Sequence, residues 1–446
     1  RDVVHDHGVV RSVPAFGYRV VDPYDEIEEP RLGRIEMRED DAELTLARGN
    51  FEVRIDRKSG LVSQIFSRDW PDGILGAGKP LGGLDMRRNR ALERFETVNE
   101  SSTENSGEFA EFVFLREGRA GSRIRVTYSM SMLHDALWIR LQGENVARPD
   151  PGLASALGLA IRPGFKPTKL LHDHPYGTSE VEAERNRPRK YPTGDAWSSP
   201  QVLEDVVRPF TAASFVDLLE TDASGRGLLV VHDGCQQFQR DAHGVRALLH
   251  SYDLWDEDHY DNVFDAELWL APHGTLSPTE RMRIAMENNL GSPRFESFAS
   301  ALGGGDLPNT LGALEVDAPN VLCTAFHRDR SAAAALLENS FAAGALDPHV
   351  IRLVEFDGKP AEVTLRLPGP IASAARTDLL GGVLERLTPR AAPAPFGPAQ
   401  LPWSALRFSM RPHEIATIQV DLEFGRHQPL DPAKARLAWA AANRRR

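Results

Sequence analysis

Hydrophobic and polar residues alternate with a period of two along much of the chain. Between Arg123 and Met132 every second residue is apolar. These residues share one face of an extended segment: Ile124, Val126, Tyr128, Met130 and Met132. The pattern predicts a half-buried β-strand. Comparable strands are predicted at residues 44–46, 51–55, 61–66, 137–141, 227–231, 263–270, 350–354, 363–367 and 415–420, with a hairpin turn at Gly49-Asn50.

Helical signals are few. Ser277-Pro278-Thr279-Glu280 has the capping-box pattern with proline at the first helical position. The alternation of Met282, Ile284 and Met286 favours a strand instead, so both interpretations stay open. Residues 331–346 are rich in alanine and could form a short helix, and another could start at Asp431-Pro432. Many strands and few helices predict an all-β chain built from sandwiches.

Composition suggests where the domains divide. The 446 residues are enough for two or three domains, and residues 301–308 form a glycine-rich break. We therefore expect a large β domain at 30–300 and a small β domain at 310–424. Residues 1–29 are expected to be the end of a preceding segment or linker. Residues 425–446 are expected to form a C-terminal tail that could be helical.

The charge balance argues against a nucleic-acid partner. Acidic residues number 64 against 52 basic ones, which gives a net charge of −12. We count only residues 185–190 and 444–446 as compact basic runs. No apolar run reaches the roughly 18–20 residues of a membrane helix, so no membrane partner is expected. Two cysteines, Cys235 and Cys323, cannot form a disulfide scaffold. We expect buried, inert thiols and a cytoplasmic location.

Signatures of catalysis are mostly missing. The sequence has no nucleophile elbow, phosphate loop, dinucleotide fingerprint or zinc-protease motif. His5-Asp6-His7 could ligate a metal, but it lies near a chain end and its side chains would point to opposite sides. A zinc role there is disfavoured. No metal ligand and no catalytic residue is therefore assigned to this chain.

The segment from residue 172 to 197 is the strongest candidate for binding a sugar. It mixes charged, histidine and aromatic residues with Pro and Gly, which fix loop shapes, and aromatic faces with charged groups are suited to sugars. The candidate residues are His174, Tyr176, Arg189, Lys190, Tyr191, Asp195 and Trp197. A purely structural loop that ties two sheets together is an equal alternative.

A second candidate stretch, residues 250–261, is rich in acids and includes His250 and Asp253. Its carboxylates could suit calcium, but it lacks the spacing of an EF-hand loop. We favour a solvated acidic loop with a few sugar or domain contacts. Three tryptophans and four scattered histidines are expected to be structural, the tryptophans in the core: Trp138, Trp255, Trp269, His232, His243, His273 and His413.

The residues resemble those of a known family in order along the chain. Val13-Pro14-Ala15-Phe16-Gly17-Tyr18 is similar to a Val-Pro-Ala-Leu-Gly-Tyr segment of glycoside hydrolase family 38, the α-mannosidases. Pro175-Tyr176-Gly177 is similar to the Pro-Phe-Gly of that family. Further segments resemble its later strands and turns: 46–56, 59–65, 215–217, 227–234, 246–251, 271–274, 352–355, 377–380 and 412–417.

This resemblance implies a galactose-mutarotase-like β-supersandwich followed by a smaller β-sandwich. In the family, zinc and the nucleophilic aspartate of retaining α-mannoside hydrolysis belong to an N-terminal α/β domain, which nothing here matches. The chain would then support that missing catalytic domain and shape the entrance for the glycan. It could form a homo-oligomer, and it would be inactive alone. Its zinc would lie in the missing domain. An exposed apolar patch is expected where that domain docks.

One departure and two alternatives qualify the resemblance. Leu248-Leu249-His250-Ser251 stands where many members have Leu-Leu-Arg-Ser, and Arg and His differ in charge and geometry, so glycan preference could differ. The first alternative is a free-standing carbohydrate-binding module with a groove lined by Trp197, Tyr191 or Tyr176. The second is a mutarotase-like sugar epimerase, which needs a histidine acid, such as His174 or His250, beside a carboxylate base.

Overall fold

The computed structural model describes residues 18–19, 34–76, 78–102, 109–131, 135–181, 209–221, 225–233, 235, 237–241, 243–252, 261–289, 310–311, 314–328, 347–393 and 403–422. The chain divides into two compact units. The first unit contains the described residues from 34 to 289. The second contains residues 18–19 and the described residues from 310 to 422. The domain boundaries given above stay predictions.

Antiparallel strands make up most of both units. In chain order they are β1 Tyr18–Arg19, β2 Glu36–Glu39, β3 Glu43–Arg48, β4 Phe51–Asp56, β5 Leu61–Phe66, β6 Leu84–Arg88, β7 Ala91–Arg94, β8 Glu96–Ser102, β9 Phe109–Glu117, β10 Arg123–Ser131, β11 Leu137–Glu144, β12 Leu157–Ile161, β13 Lys169–His174, β14 Gly177–Glu180, β15 Pro209–Thr211, β16 Phe215–Leu219, β17 Gly227–Asp233, β18 Gln237–Arg240, β19 Val245–His250 and β20 Phe264–His273. After helix α1, Pro278–Asn289, follow β21 Thr310–Leu311, β22 Glu315–Val316, β23 Val321–Arg328, β24 Asp347–Glu355, β25 Ala361–Pro368, β26 Ile371–Thr377, β27 Val383–Arg386, β28 Arg390–Ala392, β29 Trp403–Met410 and β30 Ile415–Leu422. Single 3-10 turns lie at Arg119–Gly121 and Leu153–Ser155.

Three sheets of the first unit share one hydrophobic core. Among the described residues, their strand orders are β14-β13-β16-β17-β20-β11-β10-β9-β8, β15-β18-β19-β12-β6-β7 and β2-β3-β4-β5. Each sheet contributes fully or almost fully buried residues to that core, including Leu46, Val53, Leu84, Leu159, Val126 and Leu268. Burying these apolar side chains away from water is the main force that holds such layers together.

The predicted alternation is confirmed where it was strongest. In β10 the residues Ile124, Val126, Tyr128 and Met130 are at most 1% exposed. Arg125 on the other face is exposed. The predicted β3–β4 hairpin also forms, since Arg48 pairs with Phe51 across Gly49-Asn50. Gly49 has a φ of 57°, a conformation that glycine adopts without strain.

The ambiguous segment after residue 277 is helix α1. The capping box is complete, because Glu280 N donates to Ser277 Oγ at 3.2 Å and Ser277 N donates to Glu280 Oε2 at 2.7 Å. Met282 and Ala285 are buried at helical spacing. The alternation that favoured a strand was therefore misleading. The predicted helices at 331–346 and 432–443 lie outside the described residues.

The second unit has its own core between two sheets. Their strand orders within the described residues are β22-β25-β29-β28 and β23-β24-β30-β26-β27, and β1 pairs separately with β21. Buried residues of both sheets form the core, including Ile351, Leu353, Val363, Leu365, Leu406 and Ile418. The predicted all-β sandwich class is confirmed. No helix in the described part of the chain has both the length and the apolar character to cross a membrane.

Candidate functional site

The nine-stranded sheet has an outer face, opposite the core, that carries aromatic and charged side chains. On β11, Leu137, Ile139 and Leu141 are fully buried in the core. Because side chains alternate along a strand, Trp138 and Arg140 lie on the outer face. We call the patch formed by Phe109, Trp138, Trp269, Arg140, Gln142, Asp265 and Glu267 the outer-face patch.

Two stacked tryptophans form the apolar half of this patch. Trp138 and Trp269 are direct cross-strand partners on β11 and β20. Their rings are nearly parallel, at 7°, with centroids 6.0 Å apart. Phe109 meets Trp138 edge-on at 6.2 Å. Both tryptophans are only partly buried and lie outside the core cluster, so the expectation that they are core residues is wrong. Trp255 lies outside the described residues.

The charged half of the patch lies one cross-strand row further along. Arg140 Nη2 donates to Asp265 Oδ2 at 2.7 Å, and Gln142 Nε2 donates to the same oxygen at 3.1 Å. The hydrogen bond from Arg140 lowers the pKa of Asp265. Glu267 lies 3.4 Å from Arg140 Nε, yet partial burial, with help from nearby Asp265, raises its pKa. Aromatic surface beside such hydrogen-bonding groups is suited to a sugar or to another protein.

A buried ionic network lies where α1 packs on the same sheet. Asp217 on β16 is fully buried. Its carboxylate accepts from His273 Nε2 at 2.9 Å and from Arg281 Nε at 2.5 Å. Burial alone would raise the pKa of Asp217, but the hydrogen bonds and charges of His273 and Arg281 outweigh it and hold that pKa below its ordinary value. The network joins the helix to two strands.

His174 and Tyr176, both predicted to bind a sugar, lie on the β13–β14 hairpin at the edge of the nine-stranded sheet. His174 Nε2 is 3.0 Å from Ser179 Oγ. Tyr176 occupies the turn with a φ of 68° and is 42% exposed. Asp173, a buried residue of β13, accepts hydrogen bonds from the backbone N–H groups of Ala213, Ser214 and Phe215, each at 2.9 Å. These hydrogen bonds hold the start of the segment to the residues before β16. Whether residues 172–197 bind a sugar or only tie two sheets together stays open.

His250, the third described candidate, lies in a different sheet. It ends β19 in the six-stranded sheet, where its ring stacks on Phe264 with centroids 5.8 Å apart. Burial lowers the pKa of His250, which favours its neutral form. The remaining predicted site residues lie outside the described residues: Arg189, Lys190, Tyr191, Asp195, Trp197 and Asp253.

Metal and thiol chemistry find little support in the described residues. They contain no group of three or more His, Cys, Asp and Glu side chains arranged to hold a metal. His5 and His7 lie outside them. Both cysteines are free thiols. Burial raises the pKa of Cys235 to about 12 and that of the partly buried Cys323 to about 11, so both stay protonated and unreactive at neutral pH.

Comparison with known proteins agrees with this fold. Residues 345–418 match the model of the glycosyl hydrolases family 38 C-terminal beta sandwich domain. An α-mannosidase from Enterococcus faecalis V583 has 15% sequence identity and a TM-score of 0.50, with 87% of this chain and 42% of that chain covered. A family-38 protein from Enterococcus faecalis has 14% identity and a TM-score of 0.51, with 87% and 44% covered. No curated protein matches the sequence.

These findings confirm the resemblance to the C-terminal β region of family 38. The match to the family model covers residues 345–418, which is less than half of the chain. The chain spans less than half the length of each of these two solved proteins.

Proposed function

We propose that this chain is the C-terminal β portion of an α-mannosidase-like glycoside hydrolase. It supports the catalytic domain and shapes the glycan entrance, while zinc-dependent retaining hydrolysis takes place in an N-terminal domain outside this sequence. The observation that carries the proposal is the similarity of 87% of the chain to part of two family-38 structures. The family-model match at residues 345–418 supports it independently. The chain alone is then inactive.

The outer-face patch also favours a role in contacting the catalytic domain. An isolated module has little reason to keep two stacked tryptophans and Phe109 only partly buried on the outside of a sheet. Aromatic residues and arginine are enriched where one protein surface contacts another. The patch is therefore our candidate for contact with the catalytic domain or with the edge of its glycan.

Zinc content and hydrolysis of an aryl α-mannoside, measured together on the 446-residue chain, test the proposal. We expect no stoichiometric zinc and no turnover, with or without added zinc. Turnover with bound zinc would place an active site in this chain and refute the proposal. His172 and His174 would then be the first described residues to replace. A homo-oligomer and a cytoplasmic location stay predictions.

A free-standing carbohydrate-binding module is the second candidate, because Tyr176 presents an exposed aromatic ring at a fixed turn. It predicts affinity for mannosides without turnover. Titration of methyl α-mannoside into the chain and into Tyr176→Ala would detect it, since loss of one stacking ring lowers affinity several-fold. For the epimerase alternative, His174 contacts Ser179 rather than a carboxylate, whereas His250 lies close enough to Asp261 to feel its charge. That alternative stays a prediction.

A further inference from the structure

A cleft lies between the tip of the β6–β7 hairpin and a loop of the first unit, and it shares no lining residue with the outer-face patch. Its volume is about 300 Å³. Asn89 and Arg90 form the two-residue tip with φ values of 53° and 61°. Both residues are thus left-handed, as in a type I′ hairpin turn. The opposite wall is formed by residues 148–151 and Tyr252.

Asp150 fixes the hairpin tip relative to that wall. Its carboxylate accepts from Asn89 N at 2.9 Å and from Arg90 N at 2.8 Å. Its own backbone N donates to Arg87 O at 2.8 Å. Because both carboxylate oxygens accept from the hairpin tip, Asp150 fixes the shape of the cleft. Its single negative charge remains, so the guanidiniums around the cleft must outweigh it for an anion to bind.

Arg148 is held in place by an aromatic ring. Its guanidinium Cζ lies 4.4 Å from the ring centroid of Tyr252, which is 4% exposed, and its Nη1 donates to Tyr252 Oη at 3.3 Å. Stacking covers the face of a guanidinium but leaves the donors along its edge available. In the part of the chain that the structure describes, no carboxylate lies within ion-pair distance of Arg148.

A second arginine faces the same cleft. Arg88 is 30% exposed and, among the described residues, forms a long ion pair of 4.0 Å with the buried carboxylate of Glu93. Arg87 and Arg90 add exposed positive charge at the same hairpin. A basic cluster with so few ion pairs stands out in a chain with a net charge of −12. Planar guanidiniums bind carboxylate and phosphate groups through two parallel hydrogen bonds.

We propose that this cleft binds a monosaccharide unit bearing an oxyanion, a carboxylate or a phosphate, through Arg88 and Arg148. The volume of about 300 Å³ is at the lower end of ligand pockets, which fits one pyranose ring. The lining is largely polar, as sugar hydroxyls require. The site goes beyond the proposed function and does not depend on it, since binding requires no hydrolysis and no second domain.

Calorimetric titration of the full chain tests the proposal with four probes: mannose 6-phosphate, mannuronate, methyl α-mannoside and inorganic phosphate. We expect at least one charged sugar to bind tenfold or more tightly than methyl α-mannoside and more tightly than inorganic phosphate. Raising the salt concentration should weaken this binding. The proposal would be overturned if the charged sugars bound no more tightly than methyl α-mannoside. It would also be overturned if inorganic phosphate bound as tightly as mannose 6-phosphate.

Variants separate the two arginines from general charge effects. Arg148→Gln and Arg88→Gln should each weaken binding of the charged sugar about tenfold, which is near 1.4 kcal/mol. Arg148→Lys keeps the positive charge but loses the planar group that makes two parallel hydrogen bonds. This variant should therefore bind the charged sugar less tightly than the parent chain. Arg123→Gln is the control, because Arg123 is an exposed arginine that pairs with Glu117 on another sheet. Arginine variants that bind like the control would overturn the assignment. Circular dichroism checks that each variant is folded.

Discussion

Replacing Asp217 by asparagine tests what joins helix α1 to the nine-stranded sheet. The carboxylate of Asp217 is fully buried between His273 and Arg281, and Arg281 is itself 6% exposed. Asparagine has nearly the same volume, so the substitution removes a charge and creates no cavity. It leaves buried Arg281 without its counter-charge, which costs about 3–5 kcal/mol. For a unit of this size, we expect the unfolding temperature to fall by roughly 6–20 °C.

Asp265→Asn is the matched control, because Asp265 also pairs with an arginine. Its distance to Arg140 is 2.7 Å, but the two side chains are 47% and 40% exposed. An exposed pair contributes about 1 kcal/mol or less. Calorimetric unfolding of the full chain gives both values. Equal, small shifts for Asp217→Asn and Asp265→Asn would refute the argument that burial makes the Asp217 network the stronger tie.

Three further outcomes follow from single side chains. Burial lowers the pKa of His232 from 6.5 to about 4. As the pH falls below 6.5, the unfolded chain therefore takes up a proton that the folded chain does not. The free energy of unfolding should drop by about 2 kcal/mol from pH 7 to pH 5. In denaturant titrations His232→Leu should flatten this pH dependence, whereas His243→Leu, at an exposed position, should not. Ser277→Ala removes the helix cap and should cost about 1 kcal/mol, seen as faster amide exchange in residues 278–289. Tyr176→Gly relieves a left-handed residue and should raise stability by about 1 kcal/mol in the same titrations; a loss would refute this.

The positions of the strands were predictable from the sequence, but for some strands the face that enters the core was not. Alternation located β10 correctly because only one of its faces is apolar. On β11 the neighbours Leu137 and Trp138 are both apolar, so alternation alone cannot decide which one enters the core. The structure buries Leu137 completely and leaves Trp138 on the outer face. That choice depends on neighbouring strands, which a single segment does not specify.

The candidate surfaces were less predictable because they join distant positions. Arg140 and Asp265 are 125 residues apart, and their hydrogen bonds depend on the register of β11 against β20. The arginine-bearing cleft has the same origin, since the hairpin tip meets Asp150 some 60 residues later. A local signal did exist at Arg87-Arg88-Asn89-Arg90, where three basic residues surround a turn-forming asparagine. Only residues 185–190 and 444–446 were counted as basic runs, and this one was overlooked.

Charge separates the two candidate surfaces of the first unit. The outer-face patch contains the carboxylates of Asp265 and Glu267 against one guanidinium, so it would repel an anionic sugar and accept a neutral one. The cleft has the opposite balance of charge, since the guanidiniums of Arg88 and Arg148 line it against the one carboxylate of Asp150. A glycan with one acidic unit would therefore have a single favourable orientation if it reached both surfaces. The four-probe titration separates these roles, because Arg148→Gln should change the affinity for mannose 6-phosphate and leave that for methyl α-mannoside unchanged.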